Sequence, residues 1–144
     1  MDTITIKIKA IPENESFART VISAYASRVN PTMDILSDVK TAVSEAVTNA
    51  VIHAYDNETF LTNTNTGEIC IKASIEDKTL SVDVSDNGKG IKNVVQAMQD
   101  FYTSKPSEER SGLGFTIMGS FMDSLEVLSN EENGTTIKMT KKLA

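Results

Sequence analysis

Three polar residues, Glu45, Asn49 and His53, recur at every fourth position of a segment that also carries Val39, Val43, Ala46 and Ala50 at helical spacing. At about 100° per residue the apolar set defines a buried arc, and Ser37, Lys40, Thr41, Ser44 and Thr48 fill the opposite, solvated arc. The three polar residues fall on the border, where a side chain can look into a cleft beside the core. A carboxylate, an amide and an imidazole in that row could supply a general base, a metal ligand and a further polar contact; taken alone, the row could equally be ordinary boundary residues. Two glycine turns raise the functional reading. Asp86-Asn87-Gly88-Lys89-Gly90 falls between a strand pattern and a helical one, where α/β proteins place ligand loops, and its glycines permit close approach of a ligand to the backbone. Arg110-Ser111-Gly112-Leu113-Gly114-Phe115 opens the last helix, where free N–H groups and the helix dipole favour phosphate, and Arg110 could add a bidentate contact. The common phosphate signatures are missing: there is no Gly-x-x-x-x-Gly-Lys-Ser/Thr, and no third glycine completes a dinucleotide fingerprint after Gly112 and Gly114.

Those residues need elements to position them. From Thr3 to Ala10 the chain alternates, with Ile4, Ile6 and Ile8 on one face and Thr5, Lys7 and Lys9 on the other, the period of a half-buried strand. After Pro12, with Asn14 or Ser16 as N-cap, Phe17, Ala18, Val21, Ile22, Tyr25 and Val29 recur at helical spacing until Asn30 and Pro31. The helix bearing Glu45, Asn49 and His53 is expected from about Asp34 to Ala54. Asp56 to Gly67 has no period and reads as an exposed loop. Two strands follow, carrying Ile69, Ile71, Ala73 and Ile75, then Leu80, Val82 and Val84, with a turn at Asp77 and Lys78. Ile91, Val94, Val95 and Met98 mark a short amphipathic stretch, and Asp100 to Gly112 has the composition of a surface loop near a site. Leu113, Phe115, Ile117, Met118, Phe121 and Met122 form a last helix. Two final strands, Leu125 to Ser129 and Thr135 to Lys142, are joined through Asn130 to Gly134. Five strands and four helices predict a two-layer α/β sandwich, with helices on one face of a mixed, mostly antiparallel sheet and a single domain over residues 1–144.

Composition narrows the setting. A chain of 144 residues with 40% hydrophobic content can bury a core of its own. Its net charge of -6 gives no general attraction to nucleic acid or to an anionic membrane, and with no Trp there is little from which to build a base-stacking platform. The lone cysteine, Cys70, cannot form an internal disulfide. With no apolar run near membrane length and no signal-like segment after Met1, a cytoplasmic location is expected, with neither membrane nor direct nucleic-acid contact.

Taken in order, Glu45-x-x-x-Asn49-x-x-x-His53-Ala54, Asp86-x-Gly88-x-Gly90, Arg110-Ser111-Gly112-Leu113-Gly114-Phe115 and Gly134-Thr135-Thr136 resemble the four boxes of the ATPase superfamily shared by gyrase, Hsp90, histidine kinases and MutL, which has a Bergerat-type ATP-binding fold. The string Glu45 to Tyr55 and the Phe17-Ala18-Arg19 helix make the chain most similar to the anti-sigma factor serine kinases of that superfamily. The resemblance implies MgATP as phosphate donor and ATP or ADP as bound nucleotide. It implies that Asn49 is the Mg²⁺ ligand, that Glu45 activates the attacking group, and that Asp86 accepts from the adenine amino group beside Gly88 and Gly90. Gly112, Leu113 and Gly114 match the phosphate-binding turn, Arg110 the arginine that meets the γ-phosphate, and Thr135 or Thr136 the end that closes on adenine. Thr103 and Lys105 fall in a short lid as phosphate contacts, while His53 stands where histidine kinases often have a second asparagine, its contact open. Arg19 resembles a residue that meets the protein partner. The partners implied are a sporulation sigma factor of the sigma F type, an anti-anti-sigma factor that offers a serine, and a second copy in a homodimer. Rival readings are a chaperone-type ATPase, which adds a transducer domain, a histidine kinase fragment, which needs a phosphoacceptor hairpin, the related general-stress anti-sigma kinase, and a sigma-binding module that uses nucleotide without transfer.

Overall fold

The structure, a computed structural model, describes residues 2–54, 67–88, 90, 91, 94, 98, 114–130 and 134–144, with only the backbone described at 53, 54 and 130. The elements in chain order are β1 (Asp2–Lys9), α1 (Glu13–Ala26), α2 (Met33–Asn49), β2 (Glu68–Glu76), β3 (Thr79–Asp86), α3 (Gly114–Phe121), β4 (Ser124–Asn130) and β5 (Gly134–Lys142). The strands form one sheet in the order β1-β2-β3-β5-β4, and all four pairings are antiparallel. A mixed, mostly antiparallel sheet with helices on one face was expected, and the four described pairings are antiparallel.

Alternation decides which face of the sheet is covered. Ile69, Ile71 and Ala73 of β2, Leu80, Val82 and Val84 of β3, and Ile137 and Met139 of β5 are buried together with Ile22, Val39, Val43, Val47 and Met118 of the helices. Burying a side chain of this size contributes roughly 1.5–3 kcal/mol, so this layer contact outweighs any surface ion pair. The other face carries Lys72, Asp83, Lys138 and Glu126 in one cross-strand row, with Lys138 Nζ 3.7 Å from Asp83 Oδ2. Cys70 lies on that polar face, half-buried between the cross-strand positions of Lys7 and Ser85.

The helices differ from expectation in informative ways. α1 is preceded by Pro12, not capped by Asn14 or Ser16; Asn14 Nδ2 instead donates to the Lys9 carbonyl at 2.8 Å, and Glu13 and Glu15 put negative charge in the first turn. Its Phe17 is 52% exposed, so that residue belongs to the surface. After α1 one 3-10 turn leads to Asn30, which turns left-handed at φ 52°. Thr32 then caps α2, its hydroxyl accepting from the Ile35 N–H at 3.3 Å. Of the expected solvated arc of α2, Ser37 and Lys40 are exposed, whereas Thr41, Ser44 and Thr48 are half-buried. The reason is α1, which packs along α2 and directs the Glu15 carboxylate to the Ser44 hydroxyl.

Lys141 fixes one end of this arrangement. Its side chain is 14% exposed, and the ammonium donates to Phe121 O at the C-terminus of α3 at 2.6 Å and to Asp38 Oδ2 on α2 at 3.3 Å. The opposite end of β5 is Thr135, about 20 Å away at strand rise. Eleven residues of α2 beyond Asp38 span about 16 Å and end at Asn49. The C-terminal part of α2, the end of β3 and the start of α3 therefore share the end of the molecule away from Lys141. The expected stretch at Ile91 to Met98 is seen only at Ile91, Val94 and Met98, where Met98 N donates to Val94 O at 3.0 Å, a helical bond; Val95 and the expected loops 56–66 and 100–112 lie outside the described residues.

The β2–β3 turn sets the register that carries Asp86 to this end. Glu76 pairs with Thr79 around Asp77 and Lys78, both left-handed at φ 50° and 62°. That is the backbone of a type I′ hairpin, whose twist matches the strands. A side-chain-bearing residue pays about 1–2 kcal/mol for this conformation and glycine does not, although glycine loses more chain entropy on folding. Lys78→Gly is accordingly expected to stabilise the fold by about 0.5–1 kcal/mol, read as a higher urea midpoint at unchanged slope.

Candidate nucleotide site

The site end is organised by Asp86. This last residue of β3 is 8% exposed, on the helix-facing side of the sheet. Among the described residues, both hydrogen bonds to its carboxylate end on Oδ1: the Gly88 N–H at 2.9 Å and the Thr135 N–H at 3.3 Å. The first closes the turn that follows β3, and the second ties that turn to β5. Removal from water raises the Asp86 pKa above its ordinary 3.8, and the two N–H groups offset part of that rise. Among the described residues, then, both donors lie on Oδ1, and burial disfavours the ionised form.

Gly134 makes the approach of β5 possible. It sits at φ +81°, and a Cβ there would lie 2.2 Å from the Asp86 carbonyl oxygen and 2.9 Å from its carbon. Gly90, at φ 74°, turns the chain back after Gly88 so that Ile91 can donate its N–H to Ser129 Oγ at 2.7 Å. Ser129 also contacts the Gly134 carbonyl at 3.1 Å and the Thr135 hydroxyl at 2.7 Å. Of the two threonines, Thr135 pairs with Asp86 on the helix-facing side and is 6% exposed. Thr136 points to the other face, its hydroxyl 3.1 Å from that of Ser85. The structure therefore brings Thr135, and not Thr136, to Asp86. Ser129 is the site-end residue that pattern reading missed. The Asn-Gly turn holds a usable signal, because pairing Asn130 with Gly134 puts Ser129 opposite Thr135.

Glu45 and Asn49 are half-buried on α2, as expected of border positions, with buried Ala46, Val47 and Ala50 beside them. The helix does not continue as α to Ala54. From Ala50 to Ala54 it is a π-helical turn, in which hydrogen bonds reach one residue further. Asn49 stands one α-turn beyond Glu45, and position 53 falls within the π turn, where the α repeat behind the i, i+4 and i+8 spacing no longer holds. This turn packs against β3, and α2 packs against α3, whose first residue, Gly114, is buried. Asn49, Asp86, Thr135 and Gly114 thus belong to elements that meet at one end. Arg19 is on α1, its Nε 3.6 Å from Glu15 Oε1, and Glu15 in turn meets the hydroxyl of Ser44, the residue before Glu45. Thr103, Lys105, Arg110, Gly112 and Leu113 lie outside the described residues, as does the side chain of His53.

Two outcomes test this construction. Gly134→Ala meets a backbone oxygen that cannot move aside and a left-handed φ, and should cost about 3 kcal/mol in chemical denaturation. Asp86→Asn keeps an oxygen for both N–H groups and removes a buried charge. A carboxyl with a raised folded pKa penalises the fold fully above that pKa, and the penalty fades as pH falls towards 3.8. The ligand-free variant should therefore melt above the parent at neutral pH, the gap closing on acidification; calorimetry showing a gap independent of pH would contradict the assignment of burial as the cause.

Comparison with known proteins agrees with this geometry. Residues 8–141 match the model of the histidine kinase-like ATPase domain. The chain is 50% identical over 139 residues to the anti-sigma F factor of Clostridium acetobutylicum, covering 96% of this chain and 92% of that one. It is 48% identical to the anti-sigma F factor of Caldanaerobacter subterraneus, covering 94% and 90%. Among solved structures, the RsbU and RsbW domains of a Mycobacterium tuberculosis protein share the fold at a TM-score of 0.70 and 18% identity, over 99% of this chain and 33% of that one. The catalytic domain of histidine kinase ThkA does so at 0.58 and 17%, over 99% and 97%. With its four boxes, its helix-backed antiparallel sheet and relatives at half identity along nearly its whole length, the chain belongs to the histidine kinase-like ATPase domain family, in the group of the anti-sigma F factors.

Proposed function

We propose that this protein binds MgATP at the end marked by Asp86 and transfers the γ-phosphoryl group to a serine of an anti-anti-sigma factor, while its nucleotide-bound form holds a sigma factor of the sigma F type. The single observation that carries the nucleotide reading is the Asp86 carboxylate, buried, with both of its donors among the described residues on Oδ1, and joined to Thr135 through a glycine that admits no side chain. An exocyclic amino group would add a donor to it. Gly114 at the start of α3 would face phosphate with the turn before it, by helix N-terminal N–H groups.

The donor set also fits Mg²⁺, a hard ion that takes amide and phosphate oxygens, so Asn49 would hold it. When bound, the ion supplies neutralisation of phosphate charge. Glu45, one turn before Asn49, would take the proton of the incoming serine hydroxyl. The serine oxygen forms its bond to the γ-phosphorus, the bond to the bridging oxygen breaks, ADP leaves with that electron pair, and the proton ends on the Glu45 carboxylate. Arg110, Thr103 and Lys105 are proposed phosphate contacts. Arg19, half-exposed on α1, suits a protein contact, and a homodimer accompanies the reading.

Incubation with γ-labelled ATP and a candidate anti-anti-sigma factor tests it: label is expected on a partner serine. In Glu45→Ala the transfer should fall by at least about a thousandfold while ATP affinity stays within a few-fold, since the carboxylate acts on the nucleophile. Tight ATP binding without label on the partner would instead favour a sigma-binding module that uses nucleotide as a structural ligand.

A further inference from the structure

We infer that Ser129 is a positioning residue for base selection: its hydroxyl takes up the proton of Thr135 and so turns the wall formed by Thr135 and Asp86 into one that only accepts hydrogen bonds. The inference rests on the nucleotide reading above and adds a residue and a selection rule to it.

A serine hydroxyl has one hydrogen to give and two lone pairs to receive with. Ser129 Oγ has three neighbours at bonding distance. The Ile91 N–H, at 2.7 Å, can only donate, so it occupies one lone pair. The Gly134 carbonyl, at 3.1 Å, can only accept, so it is served only by the Ser129 hydrogen. The Thr135 hydroxyl, at 2.7 Å, can do either. If Ser129 donates to Thr135, the Gly134 contact carries no hydrogen and two bonds form. If Ser129 donates to Gly134, Thr135 donates to Ser129, and all three bonds form at once. The second arrangement is favoured by one hydrogen bond in a half-buried place, where it is worth about 0.5–1.5 kcal/mol.

In that arrangement Thr135 has no hydrogen left and offers lone pairs. Asp86 stands directly opposite it across the β3–β5 pair, on the same face, and offers carboxylate oxygen. A group with two hydrogens, such as the 6-amino group of adenine, satisfies both. A 6-oxo purine brings an acceptor against acceptors. Without the Ser129 hydroxyl, Thr135 is released to donate to a 6-oxo group, while the N1–H of that base reaches Asp86. Ser129 also holds the chain after Gly90 through Ile91, so its loss should weaken every nucleotide to some degree. The change in selectivity is what a merely structural serine would not produce.

Calorimetric titration with ADP and with inosine diphosphate, which differs from ADP only at the 6-position and its attached proton, distinguishes these roles. The parent protein should prefer ADP by roughly a hundredfold, the cost of an unmatched acceptor pair. Ser129→Ala should bind ADP about tenfold more weakly and reduce the preference to about tenfold or less, and Ser129→Thr, which keeps the hydroxyl, should restore it. Thr135→Val leaves the two remaining bonds of Ser129 in place and should also lose the preference, which provides a test should Ser129→Ala fail to fold. An undiminished preference in Ser129→Ala, or in Thr135→Val, would overturn the inference while leaving the nucleotide reading intact. A parent protein that binds neither nucleotide would overturn both.

Discussion

A carboxylate withheld from water at the end of a central strand constrains nearly everything around it. Ionised Asp86 needs donors, and a strand end supplies few, since the ladder has consumed its own N–H groups. The chain responds by folding the following turn back, so that Gly88 donates, and by drawing β5 in until Thr135 donates as well. That second bond is possible only because residue 134 has no side chain and can adopt a left-handed φ. The turn after β3 and the start of β5, distant in sequence, are thus one structural unit built around one charge.

The helical layer solves a complementary problem. α2 must bury Val39, Val43, Ala46 and Val47 against the sheet while carrying Glu45 and Asn49 at its margin. α1 and α3 pack against it, and Lys141 ties α2 and α3 to β5 at the far end. That end is tied by a cation that meets both a helix C-terminus and a carboxylate, and at the other α2 opens into a π turn. The hydrogen bonds there reach one residue further than in the α-helix before it. This is a local departure from regular helix at the place where the site begins.

Much of this was legible in the residues, and the gaps have physical causes. Strict alternation in β1, β2 and β3 revealed the covered face because a strand has two faces and one was apolar. The border position of Glu45 and Asn49 followed from helical geometry alone. The π turn was not legible, since Ala50 to Ala54 continue an acceptable helical pattern and the widening depends on what packs against it. The half-burial of Ser44 and Thr48 was hidden for a similar reason: a periodicity shows one buried face and cannot see a second helix lying along the flank. Phe17 misled by type, as a large apolar side chain at a helical position that no other element covers. Ser129 was overlooked because serine at a strand end carries no signal by itself; only the register across the Asn130–Gly134 turn gives it neighbours.

That register bears on how such a site achieves selectivity. Groups at this end already satisfy one another before any ligand arrives: Ser129 with Ile91 and Gly134, Asp86 with Gly88 and Thr135. A ligand therefore gains little from hydrogen bonds that merely replace existing ones. It gains most at a carboxylate whose ionised form burial disfavours. A donor brought there relieves a cost already carried by the fold, whereas an acceptor adds to it. The difference between right and wrong ligand then exceeds the worth of one ordinary hydrogen bond, because the wrong one leaves buried groups unpaired. Burial of Asp86, which makes the ligand-free fold less stable, would on this argument add to the discrimination set by Thr135 and Ser129.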